Sequence, residues 1–303
     1  MRFTIFQDSR IGGRRVNQDR LAYSYSKEVL LMVIADGMGG HARGEIAAEI
    51  TVNTITKRFQ QDARGPLRRP LEFLENAFFS AHRAIVAFAD QHEMLECPRT
   101  TCVACIVQNN KAYWAHSGDS RLYTFRNGRL AAATVDHSRV QQLIDAGRLT
   151  REEAASHPER NKIYNCLGGV LPPQVALAEE WFLQVGDTIM LSTDGFWGPL
   201  TSQLIATRLQ SENLVTLAPK LLEEAEHKAG SQSDNLSVVA MTWERQDEEE
   251  PSSITITSTV PMEGFSTTTN STPHKDVMTD EISDDDITRA IREIQHAIKK
   301  VLK

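Results

Sequence analysis

The feature that most constrains the fold is an uninterrupted run of seven apolar residues, Val29 to Ala35, which ends at Asp36-Gly37. A run of this kind is typical of a strand buried on both faces, and such a strand needs a packed layer on each side of its sheet. It is far shorter than the roughly 20 residues that cross a bilayer, so we expect no membrane span. The chain should therefore form a layered globular body around this strand.

The rest of the chain mixes helix and strand patterns without regular βαβ alternation. Helices are predicted at 44–59 and 71–88, where apolar residues recur at helical spacing. An antiparallel meander follows, with turns at Asn109-Asn110 and Asn127-Gly128 and strands at 101–107, 112–116, 121–125 and 129–134. The remaining predicted elements are strands at 188–193 and 236–243, helices at 202–209 and 214–229, and short helices at 136–146 and 151–156. This order predicts an α+β fold rather than a doubly wound one.

Charge is distributed unevenly along the chain. From Asp247 onward there are 12 acidic and 6 basic residues, against 28 and 27 in the first 246 residues. A nearly neutral body without a basic stripe argues against nucleic-acid binding. The first ten residues include Gln7, Asp8 and Arg10 and so lack the apolar core of a secretory signal. Four cysteines are too few to staple a chain of this length, so we expect a cytoplasmic protein with free thiols.

Composition also predicts the domain organisation. We expect a globular domain at 1–246, an acidic and Ser/Thr-rich disordered linker at 247–281, and an amphipathic helix at 282–303. The apolar stripe of that helix consists of Ile287, Ile291, Ile294, Ile298 and Val301. Two heptads are marginally stable in isolation, so the helix should dock on something. A partner protein, a second copy of the chain and its own body all remain open.

Aspartates recur beside the predicted strands. Asp36, Asp119, Asp194 and Asp234 lie where strands are expected to stop, and Asp19 precedes the first predicted strand. One Asp-Gly pair is ordinary turn chemistry. Five sites are harder to explain in that way, because strand ends of one sandwich can converge on one rim, where carboxylates repel unless cations neutralise them. Oxygen-only clusters favour Mg²⁺ or Mn²⁺, and Gly37 would let a backbone carbonyl approach the ion closely.

Four ordered motifs make the pattern specific. They are Asp36-Gly37-Met38-Gly39-Gly40-His41, Ser117-Gly118-Asp119-Ser120-Arg121, Ser192-Thr193-Asp194-Gly195 and Ser233-Asp234-Asn235-Leu236-Ser237. Over about residues 1 to 245 the chain resembles the metal-dependent 2C-type serine/threonine protein phosphatases of the bacterial branch. The resemblance implies a four-layer α-β-β-α sandwich, in which two antiparallel sheets are flanked by helices. It also implies a substrate-facing flap at about 137–180.

The resemblance further implies a function and a set of site residues. Phosphoserine and phosphothreonine in other proteins would be hydrolysed by a water activated between two Mg²⁺ or Mn²⁺ ions, with a Ser/Thr kinase as the functional opponent. Asp36 would bridge both ions, with the Gly37 carbonyl on the second. Asp194 and Asp234 would hold the first ion, and Asp119 with Asp194 a weaker third. Asp19 would sit near the second ion. Arg14 would bind phosphate, and Arg15 is the neighbour most easily confused with it.

Several features leave alternatives open. Met38 stands where eukaryotic members have His, so the group that protonates the leaving alkoxide is not identified, and Gln18 replaces an acidic residue before Asp19. The remaining candidates for proton transfer are His41, His116 and His137. Cys102 and Cys105 have the spacing of a redox or zinc pair, but in a strand they should point to opposite faces. The rival functions are a catalytically silent binding module and a two-metal phosphodiesterase or nuclease, which should have a more basic surface.

Overall fold

The structure is a computed structural model of the 303-residue chain, and it describes residues 1–39, 43–154, 156–178, 180–245 and 266–269. The chain divides into two compact units, Met1–Asn270 and Ser271–Lys303. The second unit includes the residues predicted to form the C-terminal helix and lies outside the described residues.

The larger of two antiparallel sheets is built around the predicted apolar strand. Its strands are β2 (Asp19–Tyr25), β3 (Val29–Met38), β4 (Arg99–Thr100), β5 (Cys102–Gln108), β6 (Lys111–Ser117), β9 (Leu167–Gly168), β10 (Ala176–Leu177), β11 (Trp181–Phe182) and β14 (Ser266–Thr269). The main strand order is β10-β6-β5-β3-β2-β14, with β11 paired to β6 and β4 joining β3 to β9. Strand β3 therefore lies at the centre of the sheet, as its apolar sequence requires.

The smaller sheet packs against the larger one. Its strands are β1 (Arg2–Arg10), β7 (Arg121–Arg126), β8 (Arg129–Ala133), β12 (Thr188–Ser192) and β13 (Leu236–Arg245), in the order β1-β13-β12-β7-β8. The predicted turns are confirmed: Asn109, Asn110, Asn127 and Gly128 all have φ between 50 and 65°. Positive φ at both central residues gives the turn whose twist matches that of a hairpin.

The helices are α1 (Gly44–Asp62), α2 (Pro70–Gln91), α3 (Arg139–Asp145), α4 (Arg151–Ala154), α5 (Asp194–Trp197), α6 (Ser202–Arg208) and α7 (Leu214–Ala229), with a 3₁₀ turn at Gly230–Gln232. Their ends follow local chemistry. Pro70 opens α2, where its missing N–H costs no hydrogen bond, and the side chain of Asn213 caps α7 by accepting from the backbone N–H of Thr216. None of the described helices is long and apolar enough to span a membrane.

Three apolar clusters separate four layers. Leu31 and Val33 pack beneath α1 and α2, whereas Leu30, Met32 and Ile34 pack between the two sheets. A third cluster lies between the outer face of the smaller sheet and helices α5, α6 and α7. Side chains alternate between faces along a strand, so one apolar strand supplies two cores. The expected α-β-β-α sandwich is confirmed.

The same alternation places Cys102 and Cys105 on opposite faces of β5. Cys102 belongs to the cluster beneath α1 and α2, and Cys105 belongs to the cluster between the sheets. Both thiols are buried and free. The core interpretation is therefore correct, because the two sulfur atoms lie on opposite faces of β5.

Two strands precede β3, so the expectation that Val29 opens the first strand is wrong. β1 is an edge strand with every residue only half-buried, and β2 mixes Asp, Arg and Ser with its apolar residues. Neither contains an apolar run long enough to be recognised. Asp19 consequently does not precede the sheet but opens β2.

The tail also differs from expectation in one short segment. Ser266–Thr269, within the predicted disordered linker at 247–281, forms β14 and pairs with β2, where Thr269 lies opposite Ala22. The linker interpretation does not hold for these four residues, since backbone pairing with an edge strand needs no apolar side chains. The remainder of 247–281 and the helix at 282–303 lie outside the described residues.

Helix α1 and strand β3 meet through two glycines beside Asp36. A Cβ atom built on Gly44 would lie 2.6 Å from the carbonyl carbon of Gly37, and one on Gly37 would lie 2.3 Å from the carbonyl oxygen of Gly44. The backbones touch only because neither residue has a side chain. This contact sets the start of α1 against the candidate site.

We expect Gly44→Ala to lower the free energy of unfolding by about 2 kcal/mol, because the new methyl group would overlap with backbone that cannot move freely. Gly65→Ala is the matched control, since its Cβ would meet only the end of a flexible side chain, Glu28 Oε2, at 3.5 Å. Urea unfolding of both variants measures the difference. Equal stability of the two variants would show that the Gly37–Gly44 contact is not tight.

Candidate metal and phosphate site

The five candidate aspartates come from five different places in the chain. Asp19 opens β2 and lies directly opposite Asp36 of β3. Asp119 lies in the turn between β6 and β7, Asp194 begins α5 after β12, and Asp234 precedes β13. We call the edge of the sandwich where these residues meet the site rim.

The side chains of the rim are close enough to repel one another. The pKa of Asp36 is raised well above its usual value, first by burial and then by the negative charges of Asp19, Asp194, Asp119 and Asp234. Burial, followed by the charges of Asp194 and Asp136, likewise raises the pKa of Asp119. The structure therefore brings together all the acidic residues predicted for the site.

Asp19 is a buried member of this group, with only 1% of its surface exposed. One carboxylate oxygen, Oδ2, accepts a hydrogen bond of 2.8 Å from Thr193 Oγ1, whereas Oδ1 is buried without a hydrogen-bond partner. Burial raises the pKa of Asp19 to about 7, even though the nearby hydroxyl groups of Ser237 and Thr193 oppose the shift. A buried carboxylate oxygen without a donor is costly unless a cation approaches it.

Backbone contacts fix the Asp36-Gly37 corner. The carbonyl oxygen of Asp36 accepts hydrogen bonds from the Thr101 backbone N–H at 2.9 Å and from Thr100 Oγ1 at 2.8 Å. The Gly37 backbone N–H donates to the Gln18 carbonyl at 3.2 Å. These bonds and the Gly44 contact hold the corner from three sides, so the Gly37 carbonyl has a defined position at the rim.

Arg14 binds the Asp234 carboxylate through one edge of its guanidinium group. Nε donates to Oδ1 at 2.8 Å and Nη2 donates to Oδ2 at 2.6 Å. This hydrogen-bonded pair raises the pKa of Arg14 further, and the charges of Asp194 and Asp36 add to the effect. Within the described residues Nη1 has no partner, so the other edge of the fork is available. Arg15 is exposed like Arg14, but within the described residues its side chain forms no hydrogen bond or ion pair with a rim aspartate.

Asn235 organises the loop that carries Arg14, a role that the sequence did not suggest. Its Nδ2 donates to the carbonyls of Ile11 and Val16 at 2.9 and 3.1 Å, and its Oδ1 accepts from the Gln18 backbone N–H at 2.8 Å. Asn235 lies inside a recognised motif, but nothing in its spacing indicated which loop it would reach. The contacts of Thr100, Thr101 and Thr193 likewise connect distant segments and have no signal in the sequence.

The histidines are placed beneath the Asp119 turn. His116 and His137 stack with their ring centroids 4.6 Å apart, and His137 Nδ1 accepts from the Gly118 backbone N–H at 3.2 Å. Burial and then the charge of His116 lower the pKa of His137 to about 4, and burial lowers the pKa of His116. Both rings are therefore neutral at pH 7 and support the turn. His41 lies outside the described residues.

The two departures at Met38 and Gln18 have structural neighbours. Met38 ends β3 and lies opposite Arg99 of β4. Gln18 Nε2 donates to Glu45 Oε2 at 3.2 Å, so the amide side chain that stands before Asp19 contacts a carboxylate in the first turn of α1.

The donor set fits hard divalent cations. Among the described residues, no group of three or more Asp, Glu, His or Cys side chains forms a ready-made ligand cage. The rim nevertheless offers only oxygen ligands, two of which, Asp19 Oδ1 and Asp119 Oδ1, are buried without partners. Mutual repulsion of the carboxylates is relieved when positive charge enters between them. The site residues are therefore suited to Mg²⁺ or Mn²⁺ and unsuited to soft metals.

Comparison with known proteins identifies the family. Residues 6–237 match the family model described as protein phosphatase 2C. The chain belongs to the protein phosphatase 2C family. The four motifs that carry the resemblance in the sequence supply four of the five aspartates of the site rim, and β2 supplies the fifth, Asp19.

Relatives include the serine/threonine protein phosphatase PstP of Mycobacterium tuberculosis, which is 34% identical over 74% of this chain. This match covers 42% of PstP, so the chain spans less than half the length of that relative. A putative 2C-type protein phosphatase of Streptococcus pyogenes is 32% identical over 79% of this chain and 97% of its own length.

Solved structures of the family share the fold. The serine/threonine phosphatase of S. agalactiae has a TM-score of 0.73 and 32% identity, covering 80% of this chain and 100% of that one. The catalytic domain of PstP in complex with two manganese ions has a TM-score of 0.66 and 29% identity, covering 79% of this chain and 97% of that one.

The raised pKa values predict an inverted pH dependence of stability in chelated protein. Burial raises the pKa of Asp19 to about 7 and that of Asp194 to about 6. In the unfolded chain Asp titrates at about 4. The folded state therefore binds more protons between these values, and the stability contributed by protonated Asp19 is lost as pH rises through about 7.

We expect Asp19→Asn to gain stability relative to the unsubstituted protein as pH rises from about 4 to about 8 in chelator, by an amount on the order of 2 kcal/mol. Urea unfolding across this pH range measures the difference. Mn²⁺ should shrink it, because the cation neutralises the charge that Asn removes. Parallel stability curves in chelator would contradict the repulsion inferred at the rim.

Proposed function

We propose that this protein is a metal-dependent phosphatase that removes phosphate from phosphoserine and phosphothreonine in other proteins. The observation that carries the proposal is the convergence of five aspartates and Arg14 at one rim, where burial and neighbouring negative charges raise the pKa values of Asp19 and Asp36. Membership of the protein phosphatase 2C family and the names of its relatives support this activity.

The proposed metal ligands are Asp36 between two ions, the Gly37 carbonyl on the second, and Asp194 and Asp234 on the first. Asp119 with Asp194 would take a weaker third ion, and Asp19 would support the second. Divalent cations, when bound, supply the positive charge that lowers the pKa of water to near neutrality and stabilises charge on the phosphoryl group. Mg²⁺ and Mn²⁺ are both suited to this role, and the two manganese ions in the PstP complex support it.

Arg14 would bind and orient the phosphate. The Nε and Nη2 edge that holds Asp234 leaves Nη1 for a phosphate oxygen, so one side chain can join the metal ligands to the substrate. The neutral His116–His137 pair would keep the Asp119 turn in place rather than carry a proton. Residues 137–180 would form the substrate-facing flap, whose base is fixed by the hydrogen bond from the His137 backbone N–H to the Gly118 carbonyl.

Phosphorylated proteins are the proposed substrates, and a Ser/Thr kinase is the proposed functional opponent, in the cytoplasm. The helix predicted at 282–303 would dock on a partner protein or on a second copy of the chain.

Hydrolysis of a phosphothreonine peptide by the full chain tests the proposal. We expect turnover with Mn²⁺ or Mg²⁺, none with chelator, and a loss of more than about 100-fold in Asp36→Asn. Asp90→Asn, at the exposed end of α2, is the matched control and should retain activity.

Two results would redirect the assignment. Folded protein that shows no turnover with any metal would favour a silent binding module. Faster hydrolysis of a phosphodiester than of the peptide would favour the phosphodiesterase class.

The two neighbouring arginines give a sharper test of phosphate binding. Arg14→Ala should lower kcat/KM for the peptide by about 100-fold, the usual effect of removing one donor to a developing charge. Arg15→Ala should stay within about twofold, because within the described residues its side chain bonds to none of the rim aspartates. Steady-state kinetics at saturating Mn²⁺ measures both, and similar losses would refute the assignment of Arg14.

A further inference from the structure

A hydrogen bond joins two acidic segments of the rim that are distant in sequence. The indole Nε1–H of Trp197 donates to the backbone carbonyl of Asp119 at 3.1 Å. Trp197 is the last residue of α5, and Asp194 is the first residue of the same short helix. The bond therefore ties the turn that carries Asp119 to the helix that carries Asp194.

Trp197 is itself held by an arginine. The guanidinium carbon of Arg121 lies 3.4 Å from the centroid of the Trp197 ring. Asp136 fixes that guanidinium by accepting from Nε at 2.8 Å and from Nη2 at 2.7 Å. A cation stacked on an aromatic face and clamped by a bidentate ion pair restricts the ring to one orientation. The indole donor is thus preorganised.

The position of the Asp119 carboxylate depends on the contacts of the turn that carries it, because the carboxylate itself has little support. Its side chain is buried, with 5% of the residue exposed, and Oδ1 has no hydrogen-bond partner. The turn is held by His137 beneath Gly118 on one side and by the Trp197 bond on the other. Small shifts of such a turn change the distance between two ligand groups, and the affinity for a cation depends on that distance.

We propose that Trp197 is a positioning residue that sets the separation of Asp119 and Asp194, and through it the affinity of the weaker cation that these two side chains share. The inference rests on the proposed function for the assignment of that cation. It assigns Trp197 no contact with substrate or metal. Removing the indole donor should loosen the weakest cation and leave the tighter ones in place.

The chain contains a matched control for this role. Trp181 also lies beneath an arginine, with the guanidinium carbon of Arg126 4.9 Å from its ring centroid. Its Nε1, however, is buried without a hydrogen-bond partner. Replacing Trp181 by Phe therefore removes an indole N–H that forms no bond, whereas the same change at Trp197 removes one that does.

Calorimetric titration of the full chain with Mn²⁺ tests the proposal. Trp197→Phe keeps a ring for Arg121 to stack on but lacks the donor. We expect its weakest binding phase to have a Kd raised about fivefold, the usual effect of losing one hydrogen bond, with the tighter phases unchanged. Trp181→Phe should match the unsubstituted protein in every phase. Peptide hydrolysis at limiting Mn²⁺ should fall only in Trp197→Phe and recover at high Mn²⁺.

Identical titrations for the two Trp variants would overturn the proposal. If Trp197→Phe does not fold, Asp136→Asn gives a second test, because it releases Arg121 from the ring; an unchanged weak phase there would also overturn it. An unsubstituted protein that binds Mn²⁺ without hydrolysing the peptide would contradict the proposed function alone. One that binds no Mn²⁺ would contradict both.

Discussion

The main physical constraint on this structure is that several carboxylates are crowded together at one edge of a densely packed sandwich. Burial and the neighbouring carboxylates raise the pKa of Asp36, and burial is also the largest cause of the raised pKa of Asp19. A fold gains no stability from such an arrangement in the absence of positive charge. The acidic residues are therefore best understood as a binding site that the rest of the molecule must hold together against its own repulsion.

Backbone contacts and side-chain packing together hold the carboxylates in place against this repulsion. Asp19 and Asp36 face each other because β2 and β3 are paired in a register that the apolar residues of both strands fix. The Gly37–Gly44 contact places a helix directly behind the corner, and hydrogen bonds from Thr100 and Thr101 close its other side. Each carboxylate thus lies on or beside an element anchored in one of the three apolar clusters, so charge repulsion would have to displace a whole strand or helix to separate them.

The parts of this arrangement that are encoded locally can be predicted from the sequence. Hydrophobic pattern and turn chemistry determine the apolar run Val29–Ala35, the Asn-rich turns and the periodic helices, so these elements can be predicted. β1 and β2 were missed because an edge strand and a mixed polar strand carry weak patterns, although they supply Asp19 and the loop of Arg14. The aspartates themselves were found by motif. Their supports, Asn235, Thr193 and Trp197, act across long stretches of sequence, and only the folded chain shows which group each one reaches.

One difference between this chain and its family pattern, Gln18, is linked through space to the start of helix α1. Gln18 lacks the expected charge, and its side-chain amide donates a hydrogen bond to Glu45 in the first turn of α1. Helix α1 begins at Gly44, directly against Gly37. One helix start therefore carries both the steric partner of the Asp36-Gly37 corner and the carboxylate that Gln18 contacts. A substitution at Gly44 would disturb both at once, so a position without chemistry of its own can matter to the site as much as a ligand does.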